Sequence, residues 1–209
     1  MELAVQIAMG VSVAACAGLR AFLPLLVIGL LARYTDHVEL AQPFQWLTSD
    51  AALIVFGVAT LVELLADKLP VVDHALDAVQ TVVRPIAGML AVAALAADLS
   101  PVLAAVVGVI LGAPIAAKIH LTKVGTRLVS THVTLGMANA LVSAVEDVVS
   151  LAGVVLAAFA PLVALLLTVA GLYLAFRVSA KVRERLRDLG LGLFGGPAAA
   201  ARRSRTADA

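Results

Sequence analysis

Leu61 to Gly88 reads LVELLADKLPVVDHALDAVQTVVRPIAG, and this stretch decides what kind of fold the chain makes. It gathers Glu63, Asp67, Lys68, Asp73, His74, Asp77 and Arg84 into a chain that is otherwise nearly all Ala, Val, Leu and Gly. On either side lie long apolar runs. Hydrophobic residues make up 62% of the 209 and charged residues only 14%, whereas a soluble domain carries roughly 25% charged residues. Water is therefore not the main solvent, and the runs are expected to cross a bilayer as helices, which satisfy their own backbone hydrogen bonds. The predicted fold is all-α, a polytopic transmembrane bundle of about six spans with one or more broken or short helices.

Working outward toward the N-terminus, residues 3–32 are apolar except for Gln6, Ser12 and Arg20. Thirty residues are long for one helix, since about 20 suffice to span a bilayer. Gly18 and Pro24 bracket Arg20, and proline removes a backbone donor and clashes with the preceding turn. The run reads as a kinked span or two half-length pieces meeting at Arg20. Residues 33–50 are a loop of mixed charge, with Trp46 suited to an interface, and lie outside because they lack a positive excess. Residues 51–66 form a second span. Pro70 opens an amphipathic helix over 71–84, with Asp73 and Asp77 four apart on one face, and Arg84-Pro85 closes it.

Beyond that stretch, two short spans are expected near 86–97 and 102–117, then a polar cytoplasmic loop at 118–132 carrying Lys118, His120, Lys123, Arg127 and His132. A span at 133–159 holds Asn139, Ser143, Glu146 and Asp147 near its middle, and Pro161 opens a last span ending at Arg177. Residues 1–177 thus form the membrane domain. Residues 178–209 form a basic tail, largely disordered after about 190, which the positive-inside rule places in the cytoplasm. Six crossings leave both termini cytoplasmic. A shift of 50 lays 51–97 over 101–147 as a candidate internal repeat and sets Asp73 and Asp77 opposite Lys123 and Arg127.

Gly18–Pro24, Glu63–Gly88 and Ser143–Asp147 (SAVED) together resemble a family of bacterial membrane proteins known only as domain of unknown function 4126. The resemblance covers most of the chain to about residue 177. It implies a shared bundle in the cytoplasmic membrane and marks Arg20, Glu63, Asp67, Lys68, Asp73, Asp77, Arg84, Glu146 and Asp147 as important, without roles.

Charge at membrane depth costs several kcal/mol by insertion scales unless it meets a partner or water. Arg20 with Glu146, Asp147 and Asn139 therefore reads as a substrate-binding or coupling centre for a small polar or anionic solute. The plainer alternative is a buried pair that fixes helix register, or acids that sit among headgroups. Glu63, Asp67, Lys68, Asp73, Asp77, Arg84, Lys123 and Arg127 form a charged cluster, within which Asp73 and Asp77 are read as an interfacial salt-bridge network with Lys123 and Arg127. The alternative makes Glu63, Asp67, Asp73, His74 and Asp77 a site for magnesium, or less readily zinc, in a membrane enzyme acting on a lipid phosphate. A structural or accessory membrane protein is the third reading.

No catalytic set stands out, and the balance is against an enzyme. No cofactor or metal is expected, nor nucleic acid, since a basic folded face with reading or stacking residues is missing. The lipid bilayer and an unidentified solute are the expected partners, and a homo-oligomer is compatible with this reading. Cys16 is the one cysteine, which leaves no internal disulfide to form. The histidines His37, His120 and His132 fall in or beside loops and are expected to be solvated.

Overall fold

The computed structural model describes residues 2–67, 70–134 and 137–188; the side chains at 70–75, 77, 128–129, 131–134, 137–140, 183 and 185–188 lie outside what it describes. Within those limits every regular element is a helix. The helices are α1 (Leu3–Leu19), α2 (Phe22–Tyr34), α3 (Asp50–Ala66), α4 (Pro70–Leu95), α5 (Pro101–Val107), α6 (Ala113–Thr134), α7 (Met137–Phe159) and α8 (Pro161–Asp188). A short 3₁₀ helix, Gln42–Thr48, precedes α3, and a π turn at Gly108–Gly112 joins α5 to α6.

Four helical stretches are long and apolar enough to cross a membrane: Ala78–Leu95, Pro101–Arg127, Leu141–Phe159 and Pro161–Val182. The 3₁₀ helix and α3, bent by 64°, make a fifth if taken together, while α1 and α2 are shorter apolar helices. The outward faces are those a lipid-immersed bundle requires. Ile54, Val58 and Leu65 on α3, Val148 and Leu151 on α7, and Leu162, Leu166 and Leu174 on α8 are all exposed.

At the centre lies α1, packed against α4, α6, α7 and α8. Its small residues allow this: Ala8, Ala14 and Ala17 are buried, and a Cβ on Gly10 would lie 3.0 Å from Val92 Cα of α4. Helix–helix contact in lipid depends on close packing of such residues, because lipid tails are as apolar as leucine. The tightest crossing joins α4 to the π turn. A Cβ on Gly112 would lie 2.2 Å from the Gly88 carbonyl oxygen, so the two backbones touch and no side chain fits between them.

The contacts fix the direction of every helix. Gln6 accepts from the Asp98 amide (3.1 Å) and the Gly18 carbonyl accepts from Arg84 (2.9 Å), so α1 runs antiparallel to α4. Arg33 pairs with Asp50 and the amide of Phe22 meets Glu63 (3.5 Å), so α2 runs antiparallel to α3. Likewise Ser143 meets Arg20 and Ser150 meets Cys16 (3.3 Å), which sets α7 against α1. Lys118 meets Ser179 (2.8 Å) and Gly125 lies against Val182, placing α6 parallel to α8. Beyond the far end of α2 the Ala41 amide meets the Ala94 carbonyl (2.8 Å) and His37 lies against Phe159, so α2 turns back alongside α1. The helices therefore alternate, and the Leu3 end of α1 lies at the opposite end of the bundle from the Asp188 end of α8.

Several expectations are corrected. Residues 3–32 are two pieces meeting at Arg20, as read, but the pieces form a hairpin in place of a kinked crossing, so the two ends of the described chain do not lie on one side. Arg84-Pro85 does not end a helix, because α4 runs through Pro85 to Leu95. Proline removes one bond from the ladder, and here the buried Arg84 ties the same turn to α1 and α3.

The two short spans merge with their neighbours. Residues 118–132 are helix within α6, since their polar side chains find buried partners in the bundle. The last helix passes Arg177 to reach Asp188; residues 189–209 lie outside the described chain. The candidate repeat is not matched by element order. The break after Ala66 corresponds to 117–120, where α6 is unbroken.

Candidate functional site

A buried charged layer surrounds the point where the first apolar run breaks. Helix α1 stops at Leu19 because Arg20 adopts an extended backbone (φ −136°, ψ 119°), and α2 starts at Phe22. A break of this kind strands carbonyls at one helix end and amides at the next. Inside an apolar bundle each stranded group costs several kcal/mol unless it finds a partner. Charged side chains from three other helices supply those partners. Arg84 on α4 donates Nη1 to the Gly18 carbonyl (2.9 Å), and Lys123 on α6 donates Nζ to the Leu19 carbonyl (3.3 Å). Glu63 on α3 accepts from the amides of Ala21 (3.1 Å) and Phe22 (3.5 Å). Cations meet the C-terminal end of α1 and an anion meets the N-terminal end of α2, as the helix dipole favours.

Glu63 and Arg84 bind each other as well. Arg84 Nη2 donates to Glu63 Oε1 (3.1 Å) and to Gln80 Oε1, while Gln80 Nε2 donates to Glu63 Oε1 (2.8 Å). Glu63 is 1% exposed and Arg84 0%. Gln80 and Arg84 are four residues apart and share a face of α4, so the amide can steer the guanidinium toward α3.

Arg20 organises the other half. Nη1 donates to Asp67 Oδ2, and Nη2 donates to Ser143 Oγ (2.8 Å) and the Ser143 carbonyl (3.4 Å). Its Nε forms an ion pair with Asp147 Oδ1 that lacks hydrogen-bond geometry. The same oxygen of Asp67 accepts from Arg127 Nη2 (3.1 Å) and Ser143 Oγ (3.1 Å), with Lys123 Nζ at 3.8 Å. Glu146 Oε2 lies 2.8 Å from Lys123 Nζ and 3.6 Å from Arg127 Nη2. Three cations thus converge on one carboxylate oxygen of Asp67, with the two acids of α7 alongside. Among the described residues, Arg20, Arg84, Lys123 and Arg127 are matched by Glu63, Asp67, Glu146 and Asp147.

The layer lies within the candidate spans. Arg84 is six residues inside Ala78–Leu95, Lys123 four inside the end of Pro101–Arg127, and Asp147 six inside Leu141–Phe159. The two α7 acids are its most open members. The Asp147 side chain is 31% exposed and that of Glu146 11%, against 1% for Arg20 and Lys123.

Of the residues singled out from sequence, Arg20, Glu63, Asp67, Arg84, Lys123, Arg127, Glu146 and Asp147 meet here. Lys68 lies outside the described residues. Asp73 and Asp77 lie on α4, and Asn139 on α7, with side chains outside those described. The expected pairing of Asp73 and Asp77 with Lys123 and Arg127 rests on those side chains, whereas both cations are found on Asp67 and Glu146. Glu63 and Asp67, two of the candidate metal ligands, are engaged by guanidinium groups, and the side chains of Asp73, His74 and Asp77 lie outside those described. Among the described residues no group of three or more His, Cys, Asp or Glu is placed to hold an ion.

His120, expected to be solvated, is fully buried, with Nε2 3.1 Å from Thr81 Oγ1. The same helix explains both this burial and the missing 118–132 loop, because α6 continues beyond Ala117 to Thr134. The sequence reading did not use Gln80, nor Ser143 as a site residue. Both lie four positions from a site residue, Arg84 and Asp147, and that spacing was the available signal.

Fold and site together define a multi-pass helical membrane protein built around a broken helix and a buried network of paired charges. The chain belongs to the family described as domain of unknown function (DUF4126), which it matches over residues 7–181. No curated protein matches it, and no solved structure matches it.

Proposed function

We propose that the protein moves a small anion across the membrane, and that Arg20, Lys123 and Arg127 form the seat for it. The observation carrying this reading is the convergence of three buried cations on a single Asp67 oxygen, at the one place where α1 and α2 part. Irregular backbone at membrane depth is tolerated where it is buried in protein or lines a cavity, and transporters place solute sites at such broken helices. Ionisable groups at that depth mark solute or proton paths as a rule. Asp67 is the fixed anion of the seat, and Glu146 and Asp147 are the coupling acids.

The basic end of α8, with Arg177 and Lys181, faces the cytoplasm by the positive-inside rule. The alternating helix directions then put the Leu3 end of α1 on the outer face. Flux of a radiolabelled anion into proteoliposomes tests the reading. Arg20→Gln should abolish uptake while leaving the helical spectrum intact, and unaltered uptake by folded Arg20→Gln protein refutes the proposal.

A structural role is the second reading, because the same side chains cap the broken helix from three directions. It predicts that loss of any one charge costs stability and that no solute moves.

A further inference from the structure

Asp147 and Glu146 differ from the rest of the layer in how they are held. Asp67 and Glu63 accept directed hydrogen bonds from guanidinium, hydroxyl, amide or backbone donors. The Asp147 and Glu146 oxygens that face the cations, Oδ1 and Oε2, make ion-pair contacts without hydrogen-bond geometry, and the buried Nε of Arg20 is in the same condition. A guanidinium N–H in a dry site gains most from a directed, charge-assisted bond. Here it is aimed at a carboxylate and does not reach a good angle. Both acids belong to one helix, and both are more exposed than the cations they face. Behind them α7 packs closely on α1, with Ser150 Oγ on the Cys16 carbonyl (3.3 Å) and Gly153 so near Cys16 Sγ that a Cβ there would lie 2.6 Å from it, so the ion pairs at the layer are the polar ties that a competing anion could break.

We infer that Asp147 and Glu146 are tethered place-holders: they occupy the seat when no solute is bound, and a small oxyanion displaces them to accept from Arg20 Nε and Lys123 Nζ. This rests on the anion-carrying reading and adds to it what keeps the site closed and which chemistry opens it. A carboxylate held on the same chain competes with a free one through its effective concentration, of order millimolar for a short tether. Removing the tethered group therefore raises the affinity for the free one without any new contact. When the acids leave, α7 loses its ion pairs to Arg20, Lys123 and Arg127 and loosens from α1.

The test measures the thermal unfolding midpoint of full-length protein in detergent against rising acetate, inorganic phosphate or a short-chain phosphatidate. The first two stand for soluble oxyanions and the third for a lipid headgroup. Asp147→Asn with Glu146→Gln should lower the half-saturating concentration of at least one probe by tenfold or more, whereas Asp50→Asn, on the exposed Arg33 pair, should leave it unchanged. Equal or weaker binding by the doubly substituted protein overturns the place-holder inference and leaves anion carriage standing. Failure of wild-type and substituted protein to respond to all three probes overturns both.

The unsubstituted chain gives an independent readout should the variant misfold. Cys16, 8% exposed and the only cysteine, lies behind α7, so a saturating probe should speed its labelling by N-ethylmaleimide severalfold. An unchanged labelling rate under a probe that does bind counts against displacement.

Discussion

Replacing Glu63 by glutamine changes one proton-sized feature at the most heavily used acceptor in the bundle. Its two oxygens receive the amides of Ala21 and Phe22, the Gln80 amide and the Arg84 guanidinium, at 2.8 to 3.5 Å. Glutamine keeps the shape and one acceptor, but its NH2 must turn toward a group that also donates. The Arg84 charge then stays buried, at 0% exposure, without its carboxylate. Breaking one partner of a buried ion pair costs about 3–5 kcal/mol, and glutamine should fall in that range since both side chains are fully buried.

Arg84→Met alone should cost a similar amount, leaving Glu63 charged and the Gly18 carbonyl without its donor. Because both changes delete one interaction, the double substitution should fall short of the sum by about 2–3 kcal/mol, the scale of coupling between groups in direct contact. Unfolding by sodium dodecyl sulfate in mixed micelles, followed through the single Trp46, provides the four free energies. A Glu63→Gln cost below about 1 kcal/mol, as for an exposed pair, or additivity within about 0.5 kcal/mol, would refute the claim that Glu63 and Arg84 jointly hold the helix break.

Other outcomes follow from the same contacts. Arg20→Lys should cut flux at least tenfold with the fold retained, since one ammonium cannot reach Asp67, Ser143 and Asp147 together as the planar guanidinium does; rates in proteoliposomes decide it. Gly112→Ala should destabilise by about 3 kcal/mol or more through overpacking, because its Cβ would press on the Gly88 carbonyl oxygen. Gly57→Ala, which faces open space, should be neutral or stabilising by up to about 1 kcal/mol from helix propensity, and detergent unfolding compares the two. Reporter fusions should place the Leu3 end outside and the α8 end inside; a cytoplasmic signal from both would contradict the helix directions.

Much of the architecture was legible because lipid imposes a strong rule. Long apolar runs must be helices, and costly charge must find company, so the break at Arg20 and the meeting of Arg20 with Asp147 could be argued from spacing alone. What failed was the treatment of polar residues as boundaries. Hydropathy ends spans at Arg84-Pro85 and Lys118–His132, yet α4 and α6 run straight through them. Hydropathy sees a charged residue as a reason to leave the membrane. It does not see that Lys123 is neutralised by Glu146 and the Leu19 carbonyl, or Arg84 by Glu63 and the Gly18 carbonyl. The partner of Arg20 is likewise only half legible: Asp67 closes α3 four residues after Glu63, with helical backbone, so the spacing puts the two acids on one face but does not say that Arg20 lies opposite them.

That half-found partner bears on why the charges gather at one level. A helix broken inside the bundle presents a negative end and a positive end within two residues of each other. Each end calls for a side chain of opposite sign, and each of those must in turn be neutralised or bear the cost of burial. Arg84 and Lys123 answer the carbonyls and Glu63 the amides; Asp67 and Glu146 then answer the cations left over. The break alone accounts for Glu63, Arg84 and Lys123. It does not account for Arg20 or Arg127, neither of which meets a stranded carbonyl of α1, although both converge on Asp67. A chain that needed only to hold a bent helix could have left both positions apolar, and it is these two additional buried cations, each paired with an acid, with the two α7 acids loosely held beside them, that favour a seat for an anion over a mere joint.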